Sequence, residues 1–428
     1  MSGARASSFS MASRASFTGG SMEDMYRVMQ HLEPGRSPGR LFAMSLLAAT
    51  VACAGSNAGP APPPAERAPV EGGTRLTGET ALYPRVIRLA HNGAANGRLL
   101  MSYVTFPGGE YGEGHIVESS DDGRTWSTSP VGIVRDESSH GLCCSTLYEL
   151  PAAAGALAEG TLLWAASVGQ DQSGRRMALR VWKSTDLGRT WSYLSSCANA
   201  SNTGGLWEPE FSTTASGQLV CHYSDETLQP AHSQVLARVE STDGGATWGP
   251  RILTVASDDP AHRPGMPVVR RMPDGGYVMT YEICGVAGAN CATYLRRSAD
   301  GASWGDSSAS GTRIISTAGH FFAHAPNVAV RADGANGGLV LIGQLLEDAG
   351  ERQVAGSGAT LMVTTGNGDG PWTEVPAPLR VNDVFDNYCP NYSSSLLPSP
   401  DGTRVLVVAT AYVGQLCTAF YGTGSLPR

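Results

Sequence analysis

The segment SSDDGRTW, residues 119–126, returns three more times along the chain. The copies are STDLGRTW from Ser184, STDGGATW from Ser241 and a shortened SADGASW from Ser298, and successive copies begin 65, 57 and 57 residues apart. Serine and aspartate side chains hydrogen-bond nearby backbone amides in turns, and glycine adopts backbone angles that other residues resist. Because these residues suit a turn and no group in the phrase is poised between charge states, we interpret it as a structural turn that marks a repeating unit.

A second repeat lies between these copies. Six segments each contain a short strand pattern, a Gly/Asp/Pro turn and a more apolar strand pattern, which together predict a β-hairpin. They begin at Arg85, Ser145, Glu210, Met266, Asn327 and Tyr392. Their starts are 60, 65, 56, 61 and 65 residues apart, which leaves room for four strands in each period. Helical periodicity is almost absent, so the sequence predicts an all-β chain folded as a six-bladed β-propeller.

The N-terminal part of the chain differs in composition from the rest. It begins with small polar residues of low complexity, which predict disorder, and it ends in a stretch rich in proline, glycine and alanine. The predicted organisation is a disordered or mis-called extension (1–35), a secretory signal (36–53), a linker (54–76) and one propeller domain (77–428).

The signal prediction rests on a short apolar run that ends at Ala52 and is preceded by Arg36 and Arg40. This order of charge and apolar residues is typical of export signals, and the run is too short to cross a bilayer. Cys53 follows the run and resembles the lipidated cysteine of bacterial lipoproteins, although Thr50 stands where leucine is usual. We therefore expect an exported protein, secreted or held at the cell envelope by membrane anchoring through Cys53.

The composition of the chain limits the classes of partner and cofactor that we expect it to bind. The net charge is −8 at pH 7, and Lys183 is the only lysine, so no basic cluster predicts nucleic-acid binding. Eight cysteines follow Cys53, an even number that is compatible with disulfides in an exported chain, and Cys284 and Cys291 flank a loop that a disulfide could close. No cysteine or histidine spacing matches a zinc site, so we expect no metal and no cofactor.

The repeated phrase resembles the Asp-boxes of sialidases and related propellers. Other segments resemble glycoside hydrolase family 93 more specifically. They are YPRVIRL from Tyr83, LWEPEF from Leu206, CHYSDE from Cys221, RPGMPVV from Arg263, YEICG from Tyr281 and NYSSSLLPSPDG from Asn391. The resemblance spans residues 77–428 and implies a propeller whose Asp-boxes join outer strands, away from the site. It also implies an exo-acting α-L-arabinanase that releases arabinobiose from linear 1,5-arabinan with retention of configuration.

Cleavage of a glycosidic bond needs two carboxyl groups, which lie roughly 5 Å apart in retaining enzymes. Glu210 begins the third hairpin, and Glu282 ends the apolar strand YVMTYEIC in the fourth. Desolvation there would raise the pKa of a carboxyl group, as a general acid requires. The resemblance implies glutamates in the same two segments. We assign Glu210 as nucleophile and Glu282 as acid/base, with their order open, and Glu208 competes with Glu210 because E-P-E brings both to one place.

Polar and aromatic residues near the predicted strand starts could bind a sugar at the propeller axis. They are Arg85, Tyr103, Trp207, Asp225, Asn327, Tyr388 and Tyr392. Each also has a structural interpretation, because an arginine can pair with a glutamate and an aromatic ring can pack between blades. The expected partner is an arabinan-like oligo- or polysaccharide, bound by a monomer.

Two other functions stay open. A sialidase would need three arginines that converge on the substrate carboxylate, and only Arg85, Arg263 and either Arg313 or Arg380 could supply them. A non-enzymatic Asp-box propeller that binds carbohydrate would lack a close pair of carboxylates at the axis.

Overall fold

The computed structural model describes residues 68–107, 111–136, 141–170, 174–333 and 337–427. The predicted extension, the predicted signal and Cys53 lie outside these residues. The described part contains β-strands and one short 3-10 helix, Gly93–Ala95, and it has no helix long and apolar enough to cross a membrane.

The strands follow one another in short antiparallel hairpins. In chain order they are β1 (Val70–Glu71), β2 (Thr74–Arg75), β3 (Leu82–Arg88), β4 (Leu99–Thr105), β5 (Glu113–Ser119), β6 (Gly132–Arg135), β7 (Leu142–Glu149), β8 (Leu162–Val168), β9 (Ala178–Ser184), β10 (Ser192–Asn199), β11 (Leu206–Thr213), β12 (Leu219–Asp225), β13 (Val235–Ser241), β14 (Ile252–Val255), β15 (Arg263–Arg271), β16 (Tyr277–Cys284), β17 (Ala292–Ser298), β18 (Thr312–Arg313), β19 (Phe321–Ala323), β20 (Asn327–Arg331), β21 (Gly338–Ile342), β22 (Leu345–Glu347), β23 (Thr360–Thr365), β24 (Thr373–Pro376), β25 (Arg380–Val381), β26 (Ser395–Pro398), β27 (Arg404–Val413) and β28 (Leu416–Ser425).

Six antiparallel sheets form the blades. Blades 1, 2 and 3 are β3–β6, β7–β10 and β11–β14, blade 4 is β15–β18 with β19 and β22 added, blade 5 is β20, β21, β23 and β24, and blade 6 is β26, β27, β28 and β2. The innermost strands β3, β7, β11, β15, β20 and β26 each contact the next, and β26 contacts β3. This closed ring confirms the predicted six-bladed propeller.

The ring is closed by the beginning of the domain. Strand β2 pairs with β28 at the outer edge of blade 6, where Thr74 lies opposite Tyr421, and β1 pairs with β25. Both strands lie inside the predicted linker (54–76), so the propeller begins before residue 77. Strand β2 supplies the fourth strand of the last blade and so covers its outer edge. The sequence did not predict β1 or β2, because a strand of two residues has no alternating pattern to detect.

Large apolar side chains fill the spaces between neighbouring blades. Between blades 1 and 2 the buried Trp164 packs with Ile116 and Trp182. Gly114 makes room for this indole, since a Cβ atom at Gly114 would lie 2.4 Å from Trp164 Cζ2. Burial of such side chains holds the blades together through the hydrophobic effect.

The repeated phrase forms the turn after the third strand of blades 1 to 4. In the copy that begins at Ser184, the Ser184 hydroxyl donates to Asp186 Oδ1 at 2.8 Å and accepts the Gly188 N–H at 3.0 Å. Asp186 also accepts hydrogen bonds from the hydroxyl and the amide of Thr190, at 2.6 and 2.9 Å. The same contacts recur from Ser119 and Ser241, so the phrase is a structural turn, as predicted.

Candidate active site

A left-handed backbone conformation recurs at the inner end of every blade. The residues with positive φ are Tyr83 (50°), Cys144 (58°), Glu208 (48°), Met266 (58°), Ala325 (49°) and Ser393 (53°). In blades 1 to 4 they lie where the register between the first two strands shifts, and in blades 5 and 6 they lie just before β20 and β26. Non-glycine residues rarely adopt positive φ, and such strained positions cluster at functional sites. We call these six residues the axial bulge residues.

The axial bulges change which glutamate of the E-P-E segment faces the site. The predicted starts Arg85, Glu210 and Asn327 lie two residues beyond the bulge residues of their blades. Glu208 therefore occupies the bulge position in blade 3, and Glu210 stands further along β11, opposite His222. A β-bulge inserts a residue and re-aims the side chains around it, which is why a pattern based on regular strands missed this offset.

Glu208 is buried and lies beside strand β12. The Ser224 hydroxyl donates to Glu208 Oε2 at 2.6 Å, and the Met266 N–H donates to that hydroxyl at 3.0 Å. Burial, together with the charge of Glu226, raises the pKa of Glu208 to about 7, although the Ser224 hydrogen bond and Arg263 favour the ionised form. Glu208 therefore titrates near neutral pH.

Glu282 is the second buried carboxyl group at this place. It stands opposite Gly265 in the β15–β16 pair, and its Oε2 accepts the Ala325 N–H at 2.6 Å. Burial, together with the negative charge of Glu208, raises the pKa of Glu282 to about 8. A Cβ atom at Gly265 would lie 2.6 Å from Gln234 Nε2 and 3.6 Å from both Glu282 Oε1 and Ser224 Oγ, so a larger residue at this position would crowd the side chains beside Glu282.

Two tyrosines from neighbouring blades complete the cluster. The rings of Tyr83 and Tyr392 meet edge to face, with centroids 5.7 Å apart, and their side chains hydrogen-bond to each other. Burial raises the pKa of both phenols well above its usual range, and the charges of Glu208 and Glu282 add to this effect. Four titratable groups from blades 1, 3, 4 and 6 therefore share one buried site, which we call the axial cluster.

Glu210 has different partners. Its Oε1 accepts a hydrogen bond from Arg270 Nη1 at 2.5 Å, and its Oε2 accepts one from the Thr146 hydroxyl at 3.0 Å. These contacts join blades 2, 3 and 4. The nearby Arg85 guanidinium donates to the Ser393 carbonyl oxygen at 3.0 Å and to its hydroxyl at 2.9 Å, which joins blades 1 and 6. Glu210 and Arg85 thus lie in contacts that tie blades together.

Tyr103 and Asp225 lie in separate polar groups. The Tyr103 hydroxyl donates to Glu79 Oε1 at 2.9 Å, and the same oxygen lies 3.0 Å from His115 Nδ1. Asp225 is buried, and its Oδ2 accepts a hydrogen bond from Arg251 at 2.8 Å. Neither residue has a described contact with the axial cluster.

The remaining predicted binding residues are buried. Trp207 packs against Arg175, whose Cζ lies 5.6 Å from the ring centroid, and the Trp207 indole N–H has no hydrogen-bond partner. Tyr388 packs edge to face against Tyr412. Asn327 is buried with its Oδ1 unpaired. Of the residues predicted to bind substrate, the structure brings Tyr392 into the axial cluster and places Arg85 beside it, with the Arg85 Cζ 5.8 Å from the centroid of the Tyr83 ring.

The eight cysteines among the described residues form disulfides. Cys284 is bonded to Cys291, so a disulfide closes the loop that these two cysteines flank. The other pairs are Cys143–Cys144, Cys197–Cys221 and Cys389–Cys417. Among the described residues, the sulfurs of Cys284 and Cys291 and a nitrogen of His324 lie within 4.8 Å of one another. Because these sulfurs are bonded to each other, they are not free thiolate ligands for a metal.

Sequence reasoning missed Tyr83 and the peptide N–H of Ala325, and a signal for both was present. Proline follows four of the six bulge residues, in Tyr83-Pro84, Glu208-Pro209, Met266-Pro267 and Ala325-Pro326. Proline has no N–H to donate to a ladder and marks bulges or strand starts. These dipeptides, rather than the hairpin pattern, identify the bulge positions in blades 1, 3, 4 and 5.

Known proteins resemble this chain in both repeat and fold. A protein-family model described as a BNR repeat-like domain matches residues 85–258 of this chain. The structure of an α-L-arabinanase from Penicillium chrysogenum, in complex with arabinobiose, has a TM-score of 0.68 and 25% identity, and the match covers 83% of this chain and 98% of that one. The GH93 α-L-arabinofuranosidase of Fusarium graminearum, also with arabinobiose, has a TM-score of 0.67 and 23% identity over 84% and 98% of the two chains.

A Hadza microbial sialidase is more distant, with a TM-score of 0.54 and 14% identity over 83% of this chain and 68% of that one. No curated protein sequence matches the chain significantly. The resemblance to glycoside hydrolase family 93 among BNR-repeat propellers, expected from the sequence, is thus confirmed by the structures that this chain resembles.

Proposed function

We propose that this chain is a retaining exo-α-1,5-L-arabinanase that releases arabinobiose, with Glu208 as nucleophile and Glu282 as acid/base. The observation that carries the proposal is the pair of buried carboxyl groups in the axial cluster, each with a raised pKa. A retaining glycosidase needs such a pair, one member ionised and one protonated at the start of the reaction.

The surroundings of the two carboxyl groups favour this division of roles. The ionised form of Glu208 is favoured by the hydrogen bond from the Ser224 hydroxyl and by the charge of Arg263. The negative charge of Glu208 in turn raises the pKa of Glu282, so Glu282 keeps its proton when Glu208 has lost its own. In the proposed first step Glu282 protonates the glycosidic oxygen while a Glu208 oxygen attacks the anomeric carbon and the bond to the leaving sugar breaks. In the second step Glu282 takes a proton from water, which hydrolyses the glycosyl ester.

Tyr83 and Tyr392 supply neutral hydroxyl groups at the same place. Because burial and the two carboxylates raise their pKa far above neutral, both phenols keep their protons and can donate hydrogen bonds. We assign them to orienting the nucleophile and the sugar ring.

The arginines favour an arabinanase over a sialidase. Arg263 Nη2 contacts Glu226 Oε1 at 2.5 Å and Gln234 Oε1 at 2.7 Å, and Arg85 is bound to Ser393. Arg313 is exposed on β18, the fourth strand of blade 4, and Arg380 lies on β25, outside the blades. The described structure therefore does not assemble the three-arginine group that a substrate carboxylate would need. The arabinobiose bound in the Penicillium and Fusarium structures supports the choice of sugar.

The test is hydrolysis of linear 1,5-arabinan measured beside hydrolysis of a sialyl substrate. We expect arabinobiose as the sole early product by chromatography, and proton NMR should show that the first product keeps the anomeric configuration of the substrate. Release of sialic acid without arabinan cleavage would reject the proposal, and an inverted first product would reject the role of Glu208.

We also propose that the protein is exported and held at the cell envelope through Cys53. The support is the export pattern before Cys53 and the pairing of the eight later cysteines in four disulfides, which persist in oxidising compartments. Fractionation of cells that express the full chain should find it in the membrane, and Cys53→Ala should release it. An equal amount of both proteins in the cytosol would contradict export.

A further inference from the structure

The segment between β25 and β26 carries an exposed aromatic side chain. Phe385 is 50% exposed, whereas most large apolar side chains in the described part of the chain are buried. An exposed ring on a flexible loop would mean little, because single apolar residues on a surface are common. The contacts of this segment, which we call the β25–β26 loop, give the ring a fixed place.

Gln344 holds the β25–β26 loop. Its side chain is fully buried, and its Nε2 donates to the carbonyl oxygens of Phe385 and Pro390 at 3.1 Å each, with a third contact to that of Asn387. Gln353 Nε2 donates to the Val384 carbonyl oxygen at 3.0 Å. The backbone on both sides of the exposed ring is therefore fixed by side-chain amide groups.

The same glutamine connects the loop to the acid/base residue. The Gln344 N–H donates to the His324 carbonyl oxygen at 2.9 Å, and the next residue, Ala325, donates its N–H to Glu282 Oε2. Asp386 Oδ1 lies 3.6 Å from His324 Nε2, and the charge of Asp386 acts on Glu282. Phe385 and Asp386 thus stand at the Glu282 side of the axial cluster.

We propose that Phe385 and Asp386 form the subsite for the leaving-group sugar, a neutral pentofuranosyl residue of the chain that is cut. The inference rests on the proposed function. An acid/base carboxyl group stands beside the glycosidic oxygen, so the sugar beyond that oxygen leaves on its side. The phenyl ring packs against the apolar face of that sugar. The Asp386 carboxylate, which is 63% exposed, accepts hydrogen bonds from its hydroxyl groups.

The test compares two substrates that carry the same arabinobiosyl unit and differ in the leaving group. Arabinotriose has a sugar as leaving group, whereas the leaving group of α-L-arabinobiosyl fluoride is a fluoride ion, which is too small to pack against the ring. Phe385→Ala should raise the KM for arabinotriose about three- to tenfold, the size of a lost aromatic packing contact, and should change kcat/KM for the fluoride less than twofold. Phe385→Tyr should restore the wild-type KM.

Tyr193 provides the matched control, because it is 48% exposed on β10, the outermost strand of blade 2. Tyr193→Ala should leave both substrates unchanged. Equal losses on both substrates in Phe385→Ala, no loss on either, or the same loss in Tyr193→Ala would each overturn the subsite. A wild-type protein that cleaves the fluoride supports the proposed function whichever way the subsite test ends. A wild-type protein that cleaves neither substrate overturns both proposals.

Discussion

The Asp-box turns recur in blades 1 to 4 and the axial bulges recur in all six blades, but the two features use repetition in opposite ways. In the turn, serine, aspartate and threonine are repeated together, and they hydrogen-bond mainly to one another, as Ser184, Asp186 and Thr190 do. In the axial bulges the backbone conformation is repeated six times while the side chain changes from blade to blade. The bulge residue Glu208 accepts a hydrogen bond within its own blade, but Tyr83 bonds to Tyr392 of another blade.

This difference separates folding from chemistry. A turn whose contacts are local can be copied, because each copy stabilises its own blade. A common bulge that carries different side chains brings a glutamate and a tyrosine to one axis, where each changes the pKa of the next. We therefore expect the turns to contribute to stability independently and the axial residues to act together.

The largest effect is expected at Glu282. Glu282→Gln removes the proton donor while it keeps the shape and a polar group, so kcat on linear arabinan should fall by about a thousandfold. Glu208→Gln should lose activity to a similar degree, and the double variant should lose little more, since residues that act as a unit are not additive. Initial rates by reducing-sugar assay, with circular dichroism to confirm folding, make the measurement. Losses that multiply in the double variant would show that the two residues do not form one catalytic unit.

Glu210→Gln is the matched substitution in the same E-P-E segment. It weakens the contact with Arg270, which is partly exposed, so we expect a loss of about 2 kcal/mol in the free energy of unfolding. The kcat on arabinan should stay within about threefold of wild type, because Glu210 contacts neither Glu282 nor the tyrosines in the described structure. Urea denaturation and the arabinan assay check both parts. A thousandfold loss of kcat would return the nucleophile to Glu210.

The fold was more predictable from the sequence than the site was. The spacing of the SSDDGRTW copies and of the six hairpins was enough to predict six blades, because each blade repeats one local pattern. The choice between Glu208 and Glu210 depends on a bulge, and one inserted residue changes which side chain reaches the axis. The effect of Asp386 on Glu282 was out of reach, since 104 positions separate them and only the packed blades bring them together.

The axial cluster should also lower stability as pH rises. The folded-state pKa of Glu282, about 8, lies above the usual value of 4.5, so between these values the folded chain keeps a proton that the unfolded chain releases. The free energy of unfolding therefore falls as pH rises through this window. Glu282→Gln has no proton to lose, so relative to wild type its free energy of unfolding should gain on the order of 1–2 kcal/mol between pH 6 and pH 7. Thermal unfolding at the two pH values measures this gain. A constant difference would mean that Glu282 is ionised without penalty in the fold.

The smallest effect is expected in the turns. Ser184→Ala removes a buried hydroxyl that donates to Asp186 and accepts the Gly188 N–H, so the free energy of unfolding should fall by about 1 kcal/mol with kcat unchanged. Ser241 makes the same contacts in blade 3, and Ser241→Ala should cost a similar amount. Because the two turns have separate hydrogen bonds, the double variant should show the sum of the single losses, to within about 0.5 kcal/mol. Urea denaturation of the three variants tests this sum. A larger departure would mean that the turns, like the axial residues, are coupled between blades.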